Sequence, residues 1–358
     1  MKNLNQFFSN IFLLLLFSVA FVSCEDAVEK PIVVNIPVDA FVLNQGRNGF
    51  NNASFDYINL DSNKITNSVY NSANEFELGD IANDVLINGD KIYILVSNSG
   101  ILEIISKISY KSEATINLKD VNGEFAYPQN MEIYEGKIYI TDASTSNIIV
   151  YDIESNAVTG TIPTGPNPED IEIYDGKIYT ANTAYGNTSD TLAGNRTVSV
   201  IDIAKNKEIK QITVGTNTRF IDIDEDNNVL YVGYTDITWE GKTGGIKSYD
   251  LANYEEINSF DTGIITDLQV KDDNVYFITS DGLNKVDLAL NGSELVVENT
   301  ASAEFWSSFL VAENDDIWIL NAKGYTTNGS VLYFENGSTI NPKKYKVGIS
   351  PIKIIFDK

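Results

Sequence analysis

The sequence predicts an all-β protein, a seven-bladed β-propeller closed by its C-terminal strand completing the first blade, and three observations carry that expectation. One phrase recurs with drift: "DVLINGDKIYILVSNSGILEIIS" from Asp84, "NMEIYEGKIYITDASTSNIIVYDIESN" from Asn130, "DIEIYDGKIYT" from Asp170, "FIDIDEDNNVLYVG" from Phe220, "DLQVKDDNVYFITSDGLNKVDLAL" from Asp267 and "SFLVAENDDIWILNAKG" from Ser308. One aromatic marks the same place in each unit: Tyr93, Tyr139, Tyr179, Tyr231, Tyr276 and Trp318, with Phe41 supplying a seventh. Successive members of the six stand 46, 40, 52, 45 and 42 residues apart, the period of four-stranded propeller blades, about 40 to 50 residues. Finally, the two ends are complementary. The first unit begins near Asp39 without the strand that opens the others, and "PIKIIFDK" at 351–358 is such a strand with nothing behind it. A ring closed in this way leaves no open edge.

Residues 1–23 hold Lys2 and then the apolar run Ile11–Val22, a signal-peptide h-region shorter than the roughly 20 residues of a bilayer-spanning helix. Cys24 follows at once and is the only cysteine of the chain. Val22 and Ser23 ahead of it resemble the bacterial lipoprotein box, although Phe21 stands where that pattern prefers Leu. The resemblance implies that residues 1–23 are a lipoprotein signal peptide and that Cys24 is acylated, so the membrane is met through a lipid anchor only. With Cys24 consumed, no thiol remains for a disulfide, a metal site or a nucleophile. Residues 24–38 read as the acylated cysteine and a tether, short, Pro-containing and without periodicity. Glu25 and Asp26 are similar to the acidic export tags of Bacteroidota lipoproteins, which implies exposure on the outer face of the outer membrane. Residues 39–358 then form the propeller, with no room for a second domain.

Composition narrows the function. The chain has 25 Lys and Arg against 50 Asp and Glu, a net charge of −25, and one unit more negative without Lys2. Such a surface repels phosphate backbones and anionic headgroups, which excludes nucleic acid as a partner. Histidine is absent, removing the commonest general base and metal ligand together. No catalytic residue, metal site or required cofactor is expected, and the protein reads as a non-enzyme. The acidic runs at 222–228 and 271–274 lack the spacing of an EF-hand and read as solvated turns on the face opposite the site.

Within each unit, short runs rich in Ile, Val and Tyr alternate with polar residues and are separated by "EGK", "DGK" or Asn-Gly turns, the pattern of β-hairpins. No stretch after residue 38 has helical periodicity. Length variation falls on loops 44–54, 182–197, 235–245 and 321–330, which join second and third strands and open on one face. Insertions gathered on one rim build a walled cup over the central channel, where propellers place ligands. The candidate lining is Arg47, Asn48, Phe50, Tyr127, Asn130, Asn167, Asp170, Tyr185, Arg196, Arg219, Trp239, Trp306 and Tyr325. Aromatic rings there offer flat faces, while Asn and Arg offer directed hydrogen bonds to amides or hydroxyls. Phe220 and Phe305 read either as lining or as core residues at the start of inner strands.

Residues 177–233, with "VSVID", "ITVG" and the returning "LYV", resemble the YVTN repeat of the YncE-like propellers. The opening "FVLNQGRNGFNNASFDYINLDSNKI" and "ELGDIANDVLINGDKIYILVSNS" are similar to the N-terminal blades of the cobalamin-capturing, BtuG-type surface lipoproteins of Bacteroidota. That resemblance implies capture of cobalamin or another corrinoid as bound ligand and its transfer to a TonB-dependent outer-membrane transporter. Two other classes stay open: a protein-interaction platform at the cell surface, and a lactonase-like or quinoprotein-like enzyme using carboxylates alone. "DTL" at 190–192 resembles the O-glycosylation signal of exported Bacteroidota proteins.

Overall fold

The computed structural model describes residues 39–118, 126–183, 196–238, 241–301 and 304–357. Its strands form seven four-stranded antiparallel sheets, the blades of a β-propeller. In blades 2 to 7 the chain order is the spatial order, from an inner strand outward. The inner strands are Ala82–Asn88, Pro128–Tyr134, Pro168–Tyr174, Thr218–Asp224, Leu268–Lys271 and Trp306–Val311. Blade 1 is assembled from both ends of the chain. Its inner strand is Pro351–Asp357, paired antiparallel with Asp39–Asn44 in the register Asp39↔Asp357 to Leu43↔Lys353. The closure expected from the sequence is the closure observed.

The marker aromatics occupy the second strand of each blade. Tyr93, Tyr139, Tyr179, Tyr231, Trp318 and Phe41 are buried there. The hydrophobic clusters lie between neighbouring blades rather than inside one. One joins Tyr93, Leu95 and Leu102 of blade 2 to Met131, Ile138 and Ile140 of blade 3, as two sheets packing face to face require. Outer strands such as Ser112–Asn117 and Glu256–Asp261 alternate half-buried and exposed residues, because only one side meets a neighbour.

Turns opposite the cavity are tight. Tyr134 and Lys137 are joined by Glu135 and Gly136, both at positive φ (47° and 75°), and Asp175 and Gly176 repeat this at 48° and 68°. Two-residue hairpin loops of this kind match the twist of the strands they join. One element is additional to the sequence reading, and one expectation needs correction. Val69–Asn74 is a short helix between blades 1 and 2. At six residues it is too short to show periodicity, and it is held by tertiary contacts: Tyr70 is buried and donates its hydroxyl to Glu103 at 3.0 Å. Residues 235–245 are mostly strand rather than loop, since Val229–Thr238 and Gly241–Asp250 pair as far as Thr238↔Gly241. Gly244 permits that ladder, because a Cβ there would lie 2.4 Å from the Gly263 carbonyl oxygen.

Candidate ligand cavity

Opposite the marker aromatics, the inner strands carry Leu86, Glu132, Glu172, Asp222, Gln269, Leu310 and Ile355. Glu172, Asp222, Gln269 and Leu310 line the central channel, while Leu86 and Ile355 pack against the clusters between blades. Two residues earlier, on the same side of each strand, stand Asp84, Asn130, Asp170, Phe220, Asp267, Ser308 and Lys353. The residues between them, Val85, Met131, Ile171, Ile221, Leu268, Phe309 and Ile354, are buried, and Ile221, Leu268, Phe309 and Ile354 also reach the cavity lining. A cavity of about 1080 Å³ occupies the channel and its mouth.

Polar groups on the wall tie each blade to the next. Lys353 of blade 1 pairs with Asp84 of blade 2. Asp84 accepts the Met131 N–H of blade 3 at 2.8 Å. Thr141 and Asn130 of blade 3 donate to the Glu169 carbonyl of blade 4 at 2.7 and 3.2 Å. Asp170 accepts the Ile221 N–H at 2.9 Å, Asp222 the Val270 N–H at 2.6 Å, and Asp267 the Phe309 N–H at 3.1 Å. Ser307 of blade 7 donates to the Pro351 carbonyl at 2.5 Å, returning to blade 1. These bonds satisfy inner-strand backbone groups that face the channel instead of a neighbouring strand.

The charges there are shifted by their surroundings. Burial raises Asp170 to about 8, against the lowering effect of its backbone bonds, and Asp222 to about 6. Burial also raises Asp267. Glu172 lies well above the ordinary carboxylate range because it is desolvated and faces Asp222, Asp170 and Glu132. Burial opposes the charge on Lys353, yet Asp84, Glu132 and Asp170 outweigh it and its pKa is raised.

Above the wall, the mouth is lined by amides, aromatics and two arginines. Gln45 donates to Asn83 at 2.8 Å and Asn83 to Gln129 at 2.9 Å, an amide chain across blades 1, 2 and 3. Arg219 pairs with Glu169 at 2.7 Å and lies 5.2 Å from the Phe220 ring. Phe305 and Tyr325 pack with ring centroids 5.1 Å apart. Of the residues singled out from sequence, Arg47, Asn48, Tyr127, Asn130, Asn167, Asp170, Arg219 and Tyr325 line this cavity, as do Phe220 and Phe305.

The others fall elsewhere. Phe50 is 56% exposed outside the lining, with the Arg47 guanidinium 4.1 Å over its ring. Arg196 is half-buried and not part of the lining. Trp306 is a core residue, 5% exposed among Ile278, Leu283, Phe309 and Ile319, because a bulge between Trp306 and Ser308 offsets it from the channel-facing register. Asp222 is not in a solvated turn but in the channel wall. Tyr185, Trp239, Cys24 and the "DTL" at 190–192 lie outside the described residues. Sequence reasoning passed over Glu169, Glu172, Asp267, Gln129 and Lys353. For Glu172, Asp267 and Lys353 the signal was the alternate positions in "PEDIEIY" and its relatives, readable once the marker aromatic is known to share their register. Glu169 and Gln129 fall outside that alternation.

The fold and cavity define the class of protein: a seven-bladed β-propeller with an open central cup. No family model matches the chain, and no curated protein does. Solved structures share the fold. A quinonprotein alcohol dehydrogenase-like protein from Bacteroides thetaiotaomicron is similar at 13% identity and TM-score 0.66, over 89% of this chain and 78% of that one. Dihydro-heme d1 dehydrogenase NirN, in complex with DHE, is similar at 10% identity and TM-score 0.58, over 88% and 68%. The Pan2 WD40 domain of Neurospora crassa is similar at 12% identity and TM-score 0.56, over 77% and 80%. At these identities the likeness is one of fold, shared by enzymes and interaction domains.

Proposed function

We propose that this chain is a ligand-binding propeller of the YncE-like, BtuG-type kind: a lipoprotein anchored through Cys24 at the outer-membrane surface. It captures cobalamin or another corrinoid and hands it to a TonB-dependent transporter. The observation that carries the binding reading is the cavity of about 1080 Å³, lined on all seven blades by amide, aromatic and charged side chains. That volume lies at the upper end of small-molecule sites, about 300 to 1,000 Å³, and suits a large ligand bearing many amides. The chain is not an enzyme in this reading. Asp84, Asp170, Asp222 and Asp267 are engaged in holding adjacent inner strands, and no histidine is present to move a proton.

Calorimetric titration with cyanocobalamin, together with mass spectrometry of the protein purified from its own host, tests the proposal. Saturable binding weakened by Tyr127→Ala supports it. No heat and no co-purifying corrinoid overturn it. A second reading, a protein-interaction platform, draws on the exposed rim aromatics Phe50, Phe305 and Tyr325, and would be favoured by a partner protein whose binding is lost when they are replaced.

A further inference from the structure

Two carboxylates opposite the marker aromatics, Glu132 and Glu172, are not used by the ring of bonds, and Glu172 is the one that lines the cavity. Asp170, Asp222 and Asp267 each accept one N–H from the next blade and one from the residue after themselves. Gln269 bonds both polar groups of Val311. Glu172 stands in the same register as Asp222 and Gln269, in the blade before them. The donor it would meet by that pattern is the Ile223 N–H, which Asp222 already occupies at 2.8 Å. Glu172 lines the cavity and has no hydrogen-bond partner among the described residues. Glu132, on the neighbouring inner strand, adds a second negative charge. An unpaired carboxylate inside a protein is costly unless a cation or proton meets it.

We propose that the base of the cup is a subsite for an alkylammonium group, received by Glu172 with Glu132 beside it. The channel already holds such a group. Lys353 keeps its charge there despite desolvation, and its Nζ is committed to Asp84. The charged groups acting on Glu172 are Asp170, two residues before it on its own strand, Asp222 and Glu132 on the neighbouring inner strands, and Lys353. Asp170 holds its proton up to about 8. Asp222 and Glu132 together outweigh Lys353, whose charge is committed to Asp84, so the field favours a second cation. An organic ammonium suits the place better than a metal ion, because no group of three or more His, Cys, Asp or Glu among the described residues could hold one. The inference stands on the channel geometry and does not depend on the corrinoid reading.

The test is calorimetric titration of the purified protein with 1,5-diaminopentane at about 0.15 M salt, where exposed charges are largely screened. One site per chain is expected, weakened at least tenfold by Glu172→Gln and unchanged by the exposed control Glu255→Gln. The site should also weaken as the pH is lowered and Glu172 takes up a proton. 1-Pentanol should give no binding. Equal affinity in Glu172→Gln, or only multiple weak sites abolished by salt, overturns the proposal. So does a marked loss of melting temperature in Glu172→Gln, which would mean that the carboxylate has a structural partner. Cyanocobalamin titration of the same samples reads the mouth independently, so failure of either reading is visible by itself.

Discussion

Replacing Ile354 by alanine tests the closure of the ring. Ile354 is 6% exposed, stands opposite Val42 in the pairing of the two chain ends, and packs with Ala40, Val42, Trp318, Leu320 and Val347. Truncating a buried Ile to Ala costs about 2 to 5 kcal/mol, the larger values where the surroundings cannot collapse. Val42, Leu320 and Val347 are themselves fully buried, so about 3 kcal/mol is expected. With an unfolding entropy of about 2.1 cal/mol/K per residue over roughly 320 residues, this lowers the melting temperature by about 4 to 5 °C. Ile171 is the internal control. It is 3% exposed at the equivalent inner-strand position of blade 4, where no chain end is involved, and Ile171→Ala should cost the same. Scanning calorimetry at a fixed scan rate compares them. An unchanged melting temperature in Ile354→Ala beside the expected loss in Ile171→Ala would refute the closure of the ring by its last strand.

Further outcomes follow from the same geometry. Deleting residues 351–358 should abolish cooperative melting and promote aggregation, read by light scattering, because it removes the inner strand of blade 1 and leaves an apolar edge. Asp170 and Asp222 hold protons in the folded state up to about 8 and about 6, above the unfolded value near 3.9. In that window the folded state binds more protons than the unfolded, so stability falls as pH rises from about 4 towards 8. The melting temperature at pH 5 should exceed that at pH 8.5, with a smaller difference in Glu172→Gln. Trp306→Ala should cost about 3 to 5 kcal/mol of stability, whereas Tyr325→Ala, 45% exposed, should leave melting nearly unchanged; equal losses would contradict their different burial. Cys24→Ala should take up no fatty-acid analogue in metabolic labelling, while the native chain is labelled.

The repeat was legible because each blade needs the same second-strand aromatic to fill the space between sheets, so Tyr93, Tyr139 and Tyr179 recur at a period that drift does not hide. The mouth was legible for a related reason: tight turns such as Glu135–Gly136 show as short polar breaks, and the opposite face keeps the variable segments. The channel wall was harder. Asp84, Asp170 and Asp267 look like ordinary polar positions of alternating strands, and only the register shows that they face one another around an axis. Trp306 misled for the opposite reason. It opens an inner strand as the cavity residues do, but the bulge behind it turns the indole into the core. The 235–245 segment carries the Gly and Thr of a loop, yet those glycines serve close backbone approach within a ladder.

Blade 1 has a consequence in time. Asp39 pairs with Asp357, so the propeller's own first strand must wait for its twenty-eighth. At about 5 to 20 residues per second of synthesis, roughly 15 to 60 s separate the emergence of the two from a ribosome. Through that interval the Asp39–Asn44 strand has a free inner flank, and six complete blades stand ready before the seventh can form. The ring's most vulnerable moment is therefore its closure, which makes residues 351–358 the place where truncation or premature termination would do the greatest harm.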